Sequence, residues 1–143
     1  NGGMLKCIRY VSRQVTPMSE SEIDALVKAA ANANAANDIT GALVVADEVF
    51  FQIIEGPPEK IDALYEKLES DKRHTDVICL DVSHNREIRL FPRWSMRRVD
   101  KRWGSATLRM KHLVRRLSTA SERQRADLTD ELALLMRSSL RAA

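Results

Sequence analysis

Gln52 stands in the run Val49-Phe50-Phe51-Gln52-Ile53-Ile54-Glu55-Gly56 and interrupts an apolar stretch. Without it the run reads as a strand covered on both faces. A side-chain amide in that setting costs about 1–3 kcal/mol if it finds no partner, so Gln52 must be bonded. Either a neighbouring backbone group or a water satisfies it, or it is aimed at a buried polar ligand. An amide is the one neutral side chain that offers both an acceptor oxygen and two donor hydrogens, so it can bridge a phenol and a heterocycle nitrogen. Tyr10, Asn34, Asp71 and Arg73 are the polar residues that the pattern brings toward the same place. A phenol, two amides, a carboxylate and a guanidinium around apolar walls describe a site for a flat ligand with polar edges.

The common enzyme constellations are missing. There is no Gly-rich phosphate loop, no dinucleotide fingerprint and no nucleophile elbow around any serine. His74, His84 and His112 lack zinc spacing, and each reads as a solvated histidine. The pattern leans against hydrolysis or group transfer, so the chain reads as a non-enzyme with no metal site.

Positioning those side chains requires a definite set of elements. Residues 5–11 read as a strand with Ile8 and Tyr10 on one face and Leu5, Cys7 and Val11 on the other. Ser19 with Glu22 forms a capping box that opens a helix. Ile23, Leu26, Val27, Ala30 and Asn34 then recur at helical spacing, so Asn34 closes the buried stripe; helix C-capping is the competing reading. Residues 39–45 form a second strand, and Asp47-Glu48 turns it into the glutamine strand. Gly56-Pro57-Pro58 stops that strand and starts a second helix, whose stripe is Ile61, Leu64, Tyr65 and Leu68. A fourth strand is anchored by residues 79–82. A fifth spans residues 93–97, with Trp94 and Met96 sharing a face by alternation.

The order is that of a ferredoxin-like α+β sheet, β-α-β-β-α-β, with an added fifth strand. Its first and third strands are neighbours, which sets Tyr10 beside Gln52. Two helices leave the other face bare, and the tail supplies a C-terminal helical pair to cover it. Trp103, Ala106, Met110, Leu113, Val114 and Leu117 make one stripe. Leu128, Leu132 and Leu135 make another after a break at residues 118–121.

A length of 143 residues suits one domain, and 44% hydrophobic with 30% charged residues excludes a disordered chain. No apolar run approaches the roughly 20 residues of a membrane span, and no secretory leader pattern is present. Residues 1–3 read as a cloning remnant ahead of Met4. Cys7 and Cys79 fall in expected strands without ligand spacing and read as reduced, buried thiols, which points to the cytoplasm. The net charge of +3 is too small to argue for nucleic acid by itself. Residues 97–125 are nonetheless dense in Arg and Lys, with Asp100 and Glu122 the only acids. A solvated helix face is the first reading; an acidic partner or nucleic acid held by Arg109, Lys111, Arg115 and Arg116 is the second.

With these residues in place the sequence resembles the BLUF domains, blue-light sensors that use flavin. The resemblance is carried by Tyr10 in Arg-Tyr-Val-Ser, by Asn34 with Ile39-Thr40-Gly41 behind it, and by Phe51-Gln52-Ile53-Ile54-Glu55-Gly56. It continues through Asp71-Lys72-Arg73-His74 and closes at Trp94-Ser95-Met96. It implies a sensor domain at residues 4–99 and a helical cap or output segment at 100–143. It implies a flavin, FAD in most relatives and otherwise FMN or riboflavin, held between the two helices. Tyr10 would donate an electron and a proton, and Gln52 would be the switch. Asn34 would hold the opposite side of the ring system, with Asp71 and Arg73 near the ribityl chain. Trp94 and Met96 would relay the signal to the fifth strand. Ala33 departs from the polar or histidine residue that many relatives place there, which removes one ring contact. The residues beyond the match are too few for a cyclase or phosphodiesterase, so the expected output is contact with a downstream protein, and self-association into a homo-oligomer is a further expectation.

The competing class is an RNA-recognition-like domain, which shares the strand order and displays aromatics on its central strands. Tyr10 and Phe51 alternate onto opposite faces, and the tail would cover the sheet that such a domain leaves open.

Overall fold

The computed structural model describes residues 3–101 and 104–142. β1 (Leu5–Gln14) and β3 (Val49–Gly56) lie side by side in the interior of the sheet, and both bury side chains on both faces. With β2 (Thr40–Ala46), β4 (His74–Arg86) and β5 (Arg97–Arg98) they form a sheet of order β4-β1-β3-β2-β5. The first four strands pair antiparallel, and β5 joins β2 in parallel. Tyr10 is directly opposite Gln52 in the β1–β3 register.

α1 (Glu20–Ala36) starts where expected, with Ser19 Oγ accepting from the Glu22 amide at 3.2 Å and Glu22 Oε1 accepting from the Ser19 amide at 2.9 Å. Its C-cap is Asn37, whose Nδ2 donates to the Ala33 carbonyl at 2.9 Å. Asn34 is therefore free of capping duty and is buried on the inner stripe. α2 (Pro58–Glu69) begins at its proline, where the missing N–H costs nothing. Both helices pack on the face formed by Ile8, Tyr10, Leu43, Phe50 and Ile54.

α3 (Gly104–Leu117) and α4 (Glu122–Ala142) cover the other face. Met110, Leu113, Leu132 and Met136 pack there on Cys7, Val44, Phe51 and Ile53. Each such side chain contributes about 1.5–3 kcal/mol on full burial, so the pair is part of the folded body and not an appendage. Arg9 of β1 reaches Asp130 of α4 at 2.6 Å, and Arg115 of α3 reaches Asp47 of the β2–β3 turn at 2.9 Å. Trp103, expected to open the α3 stripe, lies outside the described residues.

Three local expectations are corrected. The fifth strand is two residues long and begins at Arg97, after Trp94 and Met96. The chain turns at residues 91–94, so strand alternation does not apply there: Trp94 packs with the core under α3 and α4, and Met96 with the core under α1 and α2. Cys79 is exposed, because β4 is an outer strand whose ladder to β1 is interrupted by three register shifts. β4 contains the expected residues 79–82 and starts at His74, which is half-buried instead of solvated. The open-sheet alternative fails for a structural reason, since Phe51 is fully buried beneath the helical pair.

Candidate functional site

β1 and β3 set the floor of a cleft between α1 and α2. Tyr10 is 1% exposed, and its hydroxyl oxygen is sealed from solvent with no hydrogen-bond partner. Its ring meets the ring of Tyr65 edge-on, with centroids 5.6 Å apart. Burial pushes the Tyr10 phenol above its usual pKa, with the neighbouring Tyr65 adding to the shift, so the phenol is neutral at physiological pH. Gln52, its partner in register, lines the same cleft half-buried. Its side chain makes no hydrogen bond to another described residue. A phenol and an amide side by side, each lacking a partner, are poised to satisfy a ligand and one another.

The cleft has a volume of about 290 Å³ and lies at the lower end of small-molecule sites. Leu26, Ala30, Ile54 and Leu64 give it apolar walls. Ala33 also lines it, so the departure noted in the sequence falls on the site itself. Asn34 lies at one end, its Nδ2 donating to the Ser95 carbonyl at 2.7 Å. That bond fixes the amide and ties α1 to the segment before β5. Met96 follows directly and enters the cleft, while Trp94 is held on the far side of the sheet with the Arg97 guanidinium 4.2 Å from its ring centroid. Of the two expected relay residues, only Met96 is at the site. Gly41 makes this possible: a Cβ there would collide with the Ile53 carbonyl, and its amide donates to the Trp94 carbonyl at 2.9 Å.

Asp71 and Arg73 line the other end, but as a tight pair, with Arg73 Nη2 2.7 Å from Asp71 Oδ2. The Arg73 backbone amide also donates to Asp71 Oδ1 at 2.9 Å. The hydrogen bond from the Arg73 side chain holds the Asp71 carboxyl down at about 2. His74 joins the lining, which the sequence reading missed. Its Nδ1 lies 3.3 Å from Ser12 Oγ, and its ring packs edge-on to Phe50. Burial lowers its pKa, with Asp71 opposing the shift and Arg73 adding to it. The available signal was its position beside Asp71 and Arg73. The donor and acceptor set fits the polar edge of a flavin: two partnerless groups on the floor, an oriented amide at one end and a charged pair at the other.

Comparison with known proteins agrees with this geometry. The family model described as "Sensors of blue-light using FAD" matches residues 5–97. The beta subunit of the photoactivated adenylate cyclase of Euglena longa is 34% identical over 93 residues, 64% of this chain and 11% of that protein. The chain thus spans about a tenth of that relative's length. A bacterial light-regulated adenylyl cyclase superposes with a TM-score of 0.73 at 28% identity, covering 95% of this chain and 40% of the other. The dark-state structure of the BLUF protein BlrB superposes with a TM-score of 0.71 at 29% identity, covering 99% and 98% of the two chains. That last likeness includes the helical pair as well as the sheet. A family match across the strands and helices that build the cleft leads to one conclusion: this chain belongs to the BLUF family of flavin-using blue-light sensors.

Proposed function

We propose that the chain senses blue light through a flavin, FAD as in the family's description, held in the Tyr10–Gln52 cleft, with residues 4–99 as the sensor and 100–143 as cap and output. A flavin bound there supplies blue absorption and, once excited, a strong oxidant. The observation that carries the reading is the sealed Tyr10 hydroxyl, registered against Gln52 and lacking a partner. Tyr10 holds its proton in the dark because burial disfavours the phenolate. Loss of an electron makes a phenol strongly acidic, so its electron and proton leave together, and the Gln52 amide is the adjacent group able to pass the proton on. Once the electron and proton have returned to the Tyr10 phenoxyl radical, Gln52 is left rotated or as its imidic tautomer, with changed hydrogen bonds.

Asn34 would hold the opposite side of the ring, and Asp71 with Arg73 would contact the ribityl chain or its surroundings. One rearranged hydrogen bond is worth about 0.5–1.5 kcal/mol, so the output element must already be near balance. Met96 lines the same cleft as Gln52, and the Asn34–Ser95 bond ties α1 to the segment before β5, which supports a relay through that segment. Trp94 joins the relay through the backbone, exchanging with Met96 or shifting with it. The output is contact with a downstream protein in the cytoplasm, with a homo-oligomer as the assembled form. No helix of the described residues is long and apolar enough to cross a membrane.

The test is optical. Purified protein loaded with FAD is yellow, and blue light moves its absorption bands slightly to the red with recovery in darkness. Colourless protein that takes up no added FAD, FMN or riboflavin sinks the proposal.

A further inference from the structure

On the face of the sheet opposite the Tyr10 cleft, residues 88–94 and the last turns of α4 enclose a second groove of about 370 Å³. Leu90, Trp94 and Leu140 form its floor, continuous with the core under the helical pair. Ile88 stands at the mouth and is largely exposed. Three arginines from two separate elements, Arg93, Arg137 and Arg141, line it. Among the described residues none of the three has an ion pair or a side-chain hydrogen bond.

Among the described residues several other arginines are matched by acids, while Arg86, Arg116 and Arg123 are unmatched but lie outside this groove. Arg89, in the same groove, is engaged by Asp38 at 3.2 Å and by Thr40 Oγ1 at 2.9 Å. Arg98 meets Asp100 and Glu20, Arg109 meets Glu131, and Arg115 meets Asp47. A cation in the last turn of a helix is favoured by the helix dipole, which accounts for Arg141 but not for its convergence with Arg93 and Arg137. An apolar floor ringed by unmatched guanidinium groups is complementary to carboxylates that flank a bulky apolar side chain.

We infer that this groove docks an acidic segment of a partner protein, carboxylates on Arg93, Arg137 and Arg141 and an apolar anchor over Leu90 and Leu140. Nucleic acid fits it poorly. Base stacking needs an open aromatic face. Trp94 has the Arg97 guanidinium over its ring, and Phe91 is buried. The groove shares Trp94 with the proposed relay, so docking there extends that output to a partner; the binding itself does not depend on the photochemistry.

The experiment is a titration in darkness, read by fluorescence anisotropy, so that failure of the light reaction leaves its result intact. The probe is a fluorescein-labelled hexapeptide of four glutamates and two leucines, with its lysine counterpart and an oligothymidylate as competitors in class. Saturable binding of the acidic peptide is expected. It weakens at least about tenfold in Arg93→Glu/Arg137→Glu/Arg141→Glu, and stays within about twofold in Lys28→Glu/Lys60→Glu/Arg123→Glu, which changes the net charge equally elsewhere. The milder Arg→Gln triple at the groove, with unchanged far-ultraviolet circular dichroism, gives the same loss if the fold of the first variant is disturbed. No saturable binding, equal losses in the groove and control variants, or tighter binding of the oligothymidylate overturns the inference.

Discussion

Tyr10→Phe should act with opposite sign on the flavin-free and flavin-loaded protein. The change removes one hydroxyl from a ring that is 1% exposed and leaves the packing against Tyr65 intact. That hydroxyl is sealed and no protein group bonds it, so without flavin it is expected to stay unmatched. An unmet buried polar group costs about 1–3 kcal/mol, and the lost methyl-sized volume returns roughly 1 kcal/mol as cavity. The expected net is a protein as stable as the parent or more stable, by up to about 2 kcal/mol. With flavin present, Gln52 is oriented and can pair with the phenol, so the same change should cost about 0.5–1.5 kcal/mol. Urea unfolding followed by circular dichroism, with and without saturating FAD, reads both values. The variant should remain yellow and lose the usual photocycle. A flavin-free variant destabilised by more than about 1 kcal/mol would show that the hydroxyl is bonded there, and the reasoning from an unmatched donor would fail.

Gln52→Ala should retain flavin and lose the red shift; a normal shift in its absorption spectrum would mean that the switch is another residue. Arg9 is buried with an unmatched Nε, while its partner Asp130 is 72% exposed. Asp130→Ala strands that guanidinium and should cost about 1–3 kcal/mol, whereas Arg9→Met fills the same space without charge and should change the unfolding midpoint little or raise it. His74 has its pKa lowered below 6.5 by burial, so the unfolded chain takes up its proton first. Its contribution is complete above pH 6.5 and is lost as pH falls through that value toward the folded pKa. A His74→Gln variant should therefore show a flatter stability profile over that window, and an unchanged slope would place the titration elsewhere.

Much of the fold was legible because local signals agreed with burial. The Ser19–Glu22 box, the Asp47-Glu48 turn and the proline start of α2 each act within a few residues, and each appears where the sequence places it. The tail stripes were equally plain, since Met110, Leu113, Val114 and Leu117 can share a face only in a helix. Less was readable where partners come from distant chain. Cys79 and His74 were misjudged because exposure in β4 depends on its outer position and its bulges, which no local pattern records.

By itself, the sequence determined that a lone amide in an apolar strand needed a partner, and that Tyr10 would stand beside it once the strands took their order. Both follow from the two-residue period of a strand and the cost of an unmet buried dipole. Only the tertiary structure decided that Met96 and not Trp94 enters the cleft. Only it decided, too, that three arginines meet over an apolar floor on the other face. Those outcomes rest on a turn at residues 91–94, on a glycine that lets two backbones touch, and on where α4 ends. Each is set by contacts between segments far apart in the chain, which spacing along it does not encode.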